Sequence, residues 1–206
     1  MIYNIYLNIS VKVFILNKYI IIGPIGAGKS EAKNILQDND YKCFCADEEV
    51  KKLYKDKSVI EKIHNFLPSA VNNKGIDLNI LRNELFNNPE LMEKIENYIQ
   101  PIVYNNFINI EKENKNNIIF IFPIVKNNKF ILENKYIYIN SDVKIRRDRL
   151  KKRANYNDLL ISKIINYQES IDIYKKDCDY LINNDGTINE LRNSLKKIIK
   201  WTKKNI

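Results

Sequence analysis

The chain has 206 residues, enough for one α/β domain with a real core and inserted subdomains. A hydrophobic fraction of 45% with 11% aromatics excludes a disordered tail. The net charge of +9, from 34 Lys+Arg against 25 Asp+Glu, suits anionic partners. The lysines are scattered along the chain and lack aromatic interleaving on one face, which argues against a nucleic-acid interface.

Residues 1–17 are apolar and β-rich, but Asn4, Asn8, Ser10, Lys12 and Asn17 interrupt them. A membrane-spanning helix needs about 20 predominantly apolar residues, and a signal peptide needs a basic start and a small-residue cleavage site. The segment meets neither requirement and reads as an N-terminal extension, either an extra edge strand or an arm. The three cysteines, Cys43, Cys45 and Cys178, form no disulfide framework, and His64 is the only histidine. They read as small buried hydrophobes in a reducing, cytoplasmic protein.

The first informative stretch is Lys18-Tyr19-Ile20-Ile21-Ile22, a buried strand. It runs into Gly23-Pro24-Ile25-Gly26-Ala27-Gly28-Lys29-Ser30 and then into a helix over residues 30–37. Glycine, four residues and Gly-Lys-Ser between a strand and a helix is the phosphate-loop pattern of nucleoside triphosphate binding. The glycines let backbone N–H groups converge on one centre, and the helix N-terminus adds its positive dipole end. Lys29 reaches the β- and γ-phosphates in such a loop, and the Ser30 hydroxyl ligates Mg²⁺.

A second strand covers residues 41–47, with Asp47 at its carboxyl end and N-capping a helix over 48–54. Ligands of open α/β sheets lie beyond the carboxyl ends of the strands, which brings Asp47 near the phosphates. Residues 58–112 read as helical throughout. Asp77 caps one helix, Pro89 opens the next, and Pro101 marks a kink or restart. This is too long for a simple crossover and reads as a substrate-binding subdomain. Residues 117–123 and 135–140 are further buried strands. A charged helical stretch over 143–174, broken near 155–158, carries Arg146, Arg147, Arg149 and Arg153. Arg149 and Arg153 share one helix face. Residues 180–182 form a last strand, Asn184-Asp185-Gly186 a turn, and 188–201 an amphipathic helix with a basic tail. No internal repeat is visible.

From about residue 18 to 200 these elements resemble the dephospho-CoA kinases, which complete coenzyme A synthesis. The loop is similar to the family's Gly-Gly-Ile-Gly-Ser-Gly-Lys-Ser, and Cys45-Ala46-Asp47 to its Asp-Ala-Asp. Residues 77–90 resemble its Leu-Asp-Arg…Leu-Arg…Val-Phe-x-Asp-Pro-Glu run. Ile99-Gln100-Pro101-Ile102-Val103 resembles Leu-His-Pro-Leu-Ile. Arg149-Leu150-Lys151-Lys152-Arg153, with Gln168 later, resembles the lid's Arg-Leu-x-x-Arg and its glutamine. Residues 178–186 resemble the Ala-Asp-x-Val-Ile-x-Asn-x-Gly stretch near the adenine site. The departures are Pro24 for a loop glycine, Cys45 for a carboxylate and Gln100 for a histidine. Ile121 and Asn127 stand in place of the two acids of an Asp-x-Pro-Leu-Leu-Phe-Glu segment.

The resemblance implies a three-layer α/β/α phosphate-loop fold with a parallel sheet, a helical CoA-binding insertion over about 58–112 and a helical lid over about 143–174. It implies phosphorylation of the ribose 3′-hydroxyl of dephospho-CoA by ATP with Mg²⁺. ATP is expected on Gly23, Pro24, Ile25, Gly26, Ala27, Gly28, Lys29, Ser30, Arg153 and Asn184, and the metal on Ser30. Asp47 is the expected base, with Lys29, Arg149 and Arg153 as the other catalytic residues. Asp47, Arg82, Gln100 and Gln168 are expected to contact the acceptor. No nucleic-acid or membrane partner is expected, and the protein acts as a monomer or weak homo-oligomer. A kinase of another small alcohol or nucleotide, and a divergent nucleotide-binding paralogue with little turnover, stay open as alternatives.

Overall fold

In the computed structural model the described residues are 19–113, 118–125, 131, 135–153 and 156–204, with side chains described as far as 198. The N-terminal extension, Lys126 and Asn127 therefore lie outside the described residues.

Five strands form one parallel sheet: β1 (Tyr19–Ile22), β2 (Lys42–Cys45), β5 (Ile118–Phe122), β6 (Tyr136–Asn140) and β7 (Tyr180–Asn183), in the order β2-β5-β1-β6-β7. Successive side chains of a strand point to opposite faces, so a sheet covered on both sides is apolar at every position. In β1, Ile20 and Ile22 enter one core with Phe44, Phe107 and Phe120, while Tyr19 and Ile21 enter another with Ala32, Ile35, Leu36, Leu191 and Leu195. The second core is roofed by α1 (Lys29–Gln37) and the closing helix α8 (Ile188–Lys204). The first is roofed by α2 (Ala46–Leu53), α3 (Lys57–Phe66), α4 (Leu78–Asn87) and α5 (Pro89–Glu113). At its centre Phe107 is fully buried, its ring centroid 3.7 Å from that of Phe120. The stretch expected to be a lid forms α6 (Val143–Lys151) and α7 (Asp158–Ile171), which close a small core of Leu150, Ile161 and Ile165.

Three stretches differ from the sequence expectation. The N-cap of α2 is Cys45, and Asp47 is the second residue of the helix. Three acids, Asp47, Glu48 and Glu49, fill its first turn, where the helix dipole favours negative charge. Residues 58–112 are not helical throughout. A 3₁₀ turn (Pro68–Ala70) and a small hairpin of β3 (Val71–Asn72) and β4 (Gly75–Ile76) interrupt them. The Asn72 side chain accepts from Lys74 N–H (2.8 Å), a local bond that competes with helix and favours turns. The helix does not restart at Pro101, which lies inside α5. The proline lies on the exposed face, while buried Ile95, Ile99, Val103 and Phe107 hold the helix on the sheet across it. The Asp77 cap, the opening Pro89 and the break before residue 158 stand as read.

β1 is bordered by β5 on one side and β6 on the other, yet the chain leaves it for β2 beyond β5. The carboxyl ends of β1, β2, β5 and β6 therefore converge at a topological switch point, where α/β sheets form crevices. Among the described residues no helix is long and apolar enough to cross a membrane.

Candidate active site

The loop between β1 and α1 is built by close approach. Gly28 is the N-cap of α1 at φ 107°, a left-handed conformation, and a Cβ there would strike the Asn184 side-chain nitrogen. That amide donates instead to Ala27 O (2.7 Å), tying the loop to the end of β7. Pro24 has no N–H to offer a phosphate, and its carbonyl closes a turn by accepting from Ala27 N–H (3.2 Å). The first N–H groups of α1 receive no side-chain cap, which leaves them directed at an incoming anion. Lys29 Nζ curls back onto the Gly23 and Pro24 carbonyls, at 2.7 and 3.1 Å. Burial pushes its ammonium below the ordinary 10.5, against the opposing pull of Asp47 and Cys45.

Two cavities meet at this loop. The first, of about 340 Å³, runs from Gly26, Gly28, Lys29 and Ser30 past Arg149 and Asn184 to Gly186, Ile188 and Leu191. The second, of about 590 Å³, is walled by Val50 of α2 and its C-cap Tyr54, by Leu81, Arg82, Leu85 and Phe86 of α4, and by Ile164 and Gln168 of α7. Lys29, Ser30, Cys45, Asp47, Glu48 and Arg153 line both. Asp47 and Ser30 are exposed to the shared space, and Glu48 is ion-paired with Lys33. Tyr54 is half-buried, and its hydroxyl is pushed up to about 12 by burial and by Glu96. Burial likewise raises the Cys45 thiol, with the Asp47 charge adding to the effect.

Arg149 and Arg153 differ. Arg149 is fully engaged: Nη1 donates to Gly26 O and Ser141 Oγ (both 3.2 Å) and Nη2 to Asn184 O (2.8 Å). It fastens α6 to the phosphate loop and to the end of β7. Arg153 is exposed and faces Lys29 across the junction of the cavities; the helix face expected to carry it with Arg149 does not form, because α6 ends at Lys151 and Lys152 is its C-cap. Arg82 lies over the Tyr156 ring at 4.9 Å, where it lines the second cavity. Gln168 is buried on α7, and its Oε1 accepts from Ile25 N–H (2.7 Å). Gln100, half-buried on α5, lines neither cavity.

The sequence reading passed over Arg146 as one charge among many. It is only 3% exposed, and its Cβ and backbone pack against Gly26. Its Nε donates to Ser141 O (3.1 Å) and its Nη2 pairs with Glu169 (2.9 Å). Its one available signal was position: it falls one helical turn before Leu150 on the face that packs. The apolar wall of the second cavity was legible only as the i, i+4 pair Leu81 and Leu85.

Two cavities sharing a lysine, a hydroxyl and a carboxylate is the geometry of group transfer from a nucleotide, and comparison with known proteins narrows it. The sequence profile described as dephospho-CoA kinase matches residues 20–190. The chain belongs to the dephospho-CoA kinase family. It is 30% identical over 184 residues to a dephospho-CoA kinase of Rickettsia typhi, covering 87% of this chain and 94% of that one. Two solved structures share its fold. TT1252 from Thermus thermophilus superposes with a TM-score of 0.71 at 19% identity, over 89% of this chain and 96% of that one. A dephospho-CoA kinase from Campylobacter jejuni gives 0.60 at 22% identity, over 92% and 98%. Within this family framework Cys45 and buried Ile121 line the first cavity at positions where the motifs carry carboxylates.

Proposed function

We propose that this chain transfers the γ-phosphoryl group of ATP to the ribose 3′-hydroxyl of dephospho-CoA, forming coenzyme A and ADP. The observation that carries this reading is the shared lining: Asp47, Lys29, Ser30 and Arg153 stand where a donor cavity opens into an acceptor cavity. Phosphoryl transfer needs in-line positioning and charge neutralisation more than covalent chemistry.

ATP lies in the first cavity, with its triphosphate on residues 23–30 and its adenine toward Gly186, Ile188 and Leu191. Asn184 holds the loop beneath it. The CoA portion lies in the second cavity, against α2, α4 and α7. Asp47 accepts the hydrogen bond, and then the proton, of the attacking 3′-hydroxyl. Lys29 exchanges its loop carbonyls for the β- and γ-phosphate oxygens, and Arg153 closes over the charge that develops in transfer. Arg149 acts through the loop by fixing the Gly26 carbonyl. With Arg82 and Tyr156, the lid excludes water, which would otherwise accept the phosphoryl group.

The Ser30 hydroxyl, with the Asp47 and Glu48 carboxylates beside it, is a hard-oxygen donor set that fits Mg²⁺. When bound there, Mg²⁺ neutralises β- and γ-phosphate charge. Among the described residues no cluster of three or more His, Cys, Asp or Glu could hold a metal ion by itself. The free thiols Cys43, Cys45 and Cys178 accord with a cytoplasmic enzyme. Gln100 lies outside both cavities and has no part in this assignment.

The deciding measurement is ADP release coupled to dephospho-CoA, run beside adenosine and nucleoside monophosphates as acceptors. Dephospho-CoA is expected to be the preferred acceptor. Asp47→Asn should lower kcat by about 10²–10⁴-fold with little change in ATP binding; undiminished turnover in that variant would overturn its role as base. Nucleotide binding without formation of coenzyme A would favour a binding-only paralogue, which Cys45 and Ile121 in the donor cavity motivate.

A further inference from the structure

Gln168 joins parts of the chain 143 residues apart, because its side-chain carbonyl takes the N–H of Ile25 inside the phosphate loop. Only the carbonyl oxygen can accept from an N–H, so the orientation of the amide is settled by this bond. The N–H is thereby withdrawn from the set that can meet a phosphate. The neighbouring Glu169 pairs with Arg146, whose Cβ and backbone pack against Gly26. Consecutive residues of α7 thus hold consecutive residues of the loop, one by a direct bond and one through an arginine. The same helix is gripped from the acceptor side. Tyr167 packs edge-on against Phe86 (centroids 6.0 Å apart, 72°), and Lys163 bonds Asn87, both partners lying on α4. Ile164 and Gln168 themselves line the second cavity with Leu81 and Leu85.

Resting on the kinase reading above, we propose that Gln168 is a positioning residue. Through it α7 sets the shape of the phosphate loop, so that filling the acceptor cavity between α4 and α7 tightens the nucleotide site. The coupling is reciprocal: nucleotide on the loop orders α7 and strengthens acceptor binding by the same factor. A glutamine used only to pack the lid predicts no such dependence.

Methionine at 168 keeps the volume and the packing but offers the Ile25 N–H no oxygen, whereas glutamate restores an acceptor. The test titrates a non-hydrolysable ATP analogue calorimetrically into wild type, Gln168→Met and Gln168→Glu, each with and without saturating dephospho-CoA. Steady-state KM for ATP and kcat are measured in parallel, and thermal melts confirm folding. In wild type dephospho-CoA is expected to tighten the analogue several-fold. Gln168→Met should weaken it roughly tenfold, as leaving a buried N–H without an acceptor does, should lose the dependence on dephospho-CoA, and should raise KM for ATP more than it lowers kcat. Gln168→Glu should recover the dependence. A Gln168→Met protein with wild-type affinity and wild-type dependence overturns the role. Because analogue affinity is read without turnover, a chain that loses it in Gln168→Met yet never phosphorylates dephospho-CoA upholds the positioning role and refutes the acceptor assignment.

Discussion

Gly28 shows what a single residue contributes to the site. Its φ of 107° turns the chain from β1 into α1, and the space a Cβ would take is held by the Asn184 amide. In Gly28→Ala the left-handed backbone alone costs about 1–2 kcal/mol, and the displaced Asn184 loses its bond to Ala27. The expected outcome is at least a tenfold loss of affinity for an ATP analogue by calorimetry, with the acceptor cavity unaffected. Arg149 and Arg153 make the complementary point. They share a residue type, but Arg149 lies inside α6 and spends donors on Gly26, Ser141 and Asn184, while Arg153 lies past the helix end and stays exposed at the junction. Residue type is the same for both, so the end of α6 and the surrounding carbonyls separate a brace from a group open to ligand.

Among the elements, α4 contributes several residues to the wall of the proposed acceptor cavity. Its N-cap, Asp77, accepts from the N–H groups of Asn79 and Ile80 at 2.9 and 3.1 Å. The helix then carries Leu81, Arg82, Leu85 and Phe86 into the cavity wall. Asp77→Ala removes both bonds at a cost of about 1 kcal/mol. For a chain of this size that should lower Tm by about 2–4 °C in a thermal melt. KM for dephospho-CoA should rise more than KM for ATP, because the frayed turn lies on the acceptor side. Helix α5 shows the opposite balance. A proline in a helix interior removes a backbone bond, yet α5 continues through Pro101 because four buried side chains hold it to the sheet. There tertiary packing outweighs the local rule.

At the level of the whole molecule, burial of titratable groups ties stability to alkaline pH. Burial pushes the Cys43 thiol from 9.0 up to about 11, with Lys33 opposing. Burial also pushes the Tyr54 and Tyr136 hydroxyls from 10.0 up to about 12. In each case the folded group holds its proton where the unfolded one has lost it, so the stabilisation present below pH 9 is lost as pH rises toward the folded values. Tm should therefore be flat to about pH 8.5 and fall between about pH 9 and 11. Cys43→Ala should move the onset upward toward the tyrosines. A Tm that rises over this range would contradict the burial of these groups.

Much of this protein is legible in its sequence, for reasons that operate over short distances. Short unbroken apolar runs rich in β-branched and aromatic residues, such as Tyr19–Ile22 and Ile118–Phe122, favour strands buried on both faces, and the loop from Gly23 to Ser30 carries its own geometry in its glycines. Local turn chemistry around Asn72 and Gly75 was weaker evidence than the helical periods on either side, so the hairpin was missed. What only the tertiary structure decided are the long-range partnerships. Gln168, which the resemblance assigns to the acceptor, also holds Ile25, and buried Arg146 braces Gly26 from within a charged run. Gln100 lies away from both cavities. Periodicity assigns a residue to a face of its own element. Which loop that face meets depends on how α6 and α7 dock over a sheet whose strand order the sequence does not state.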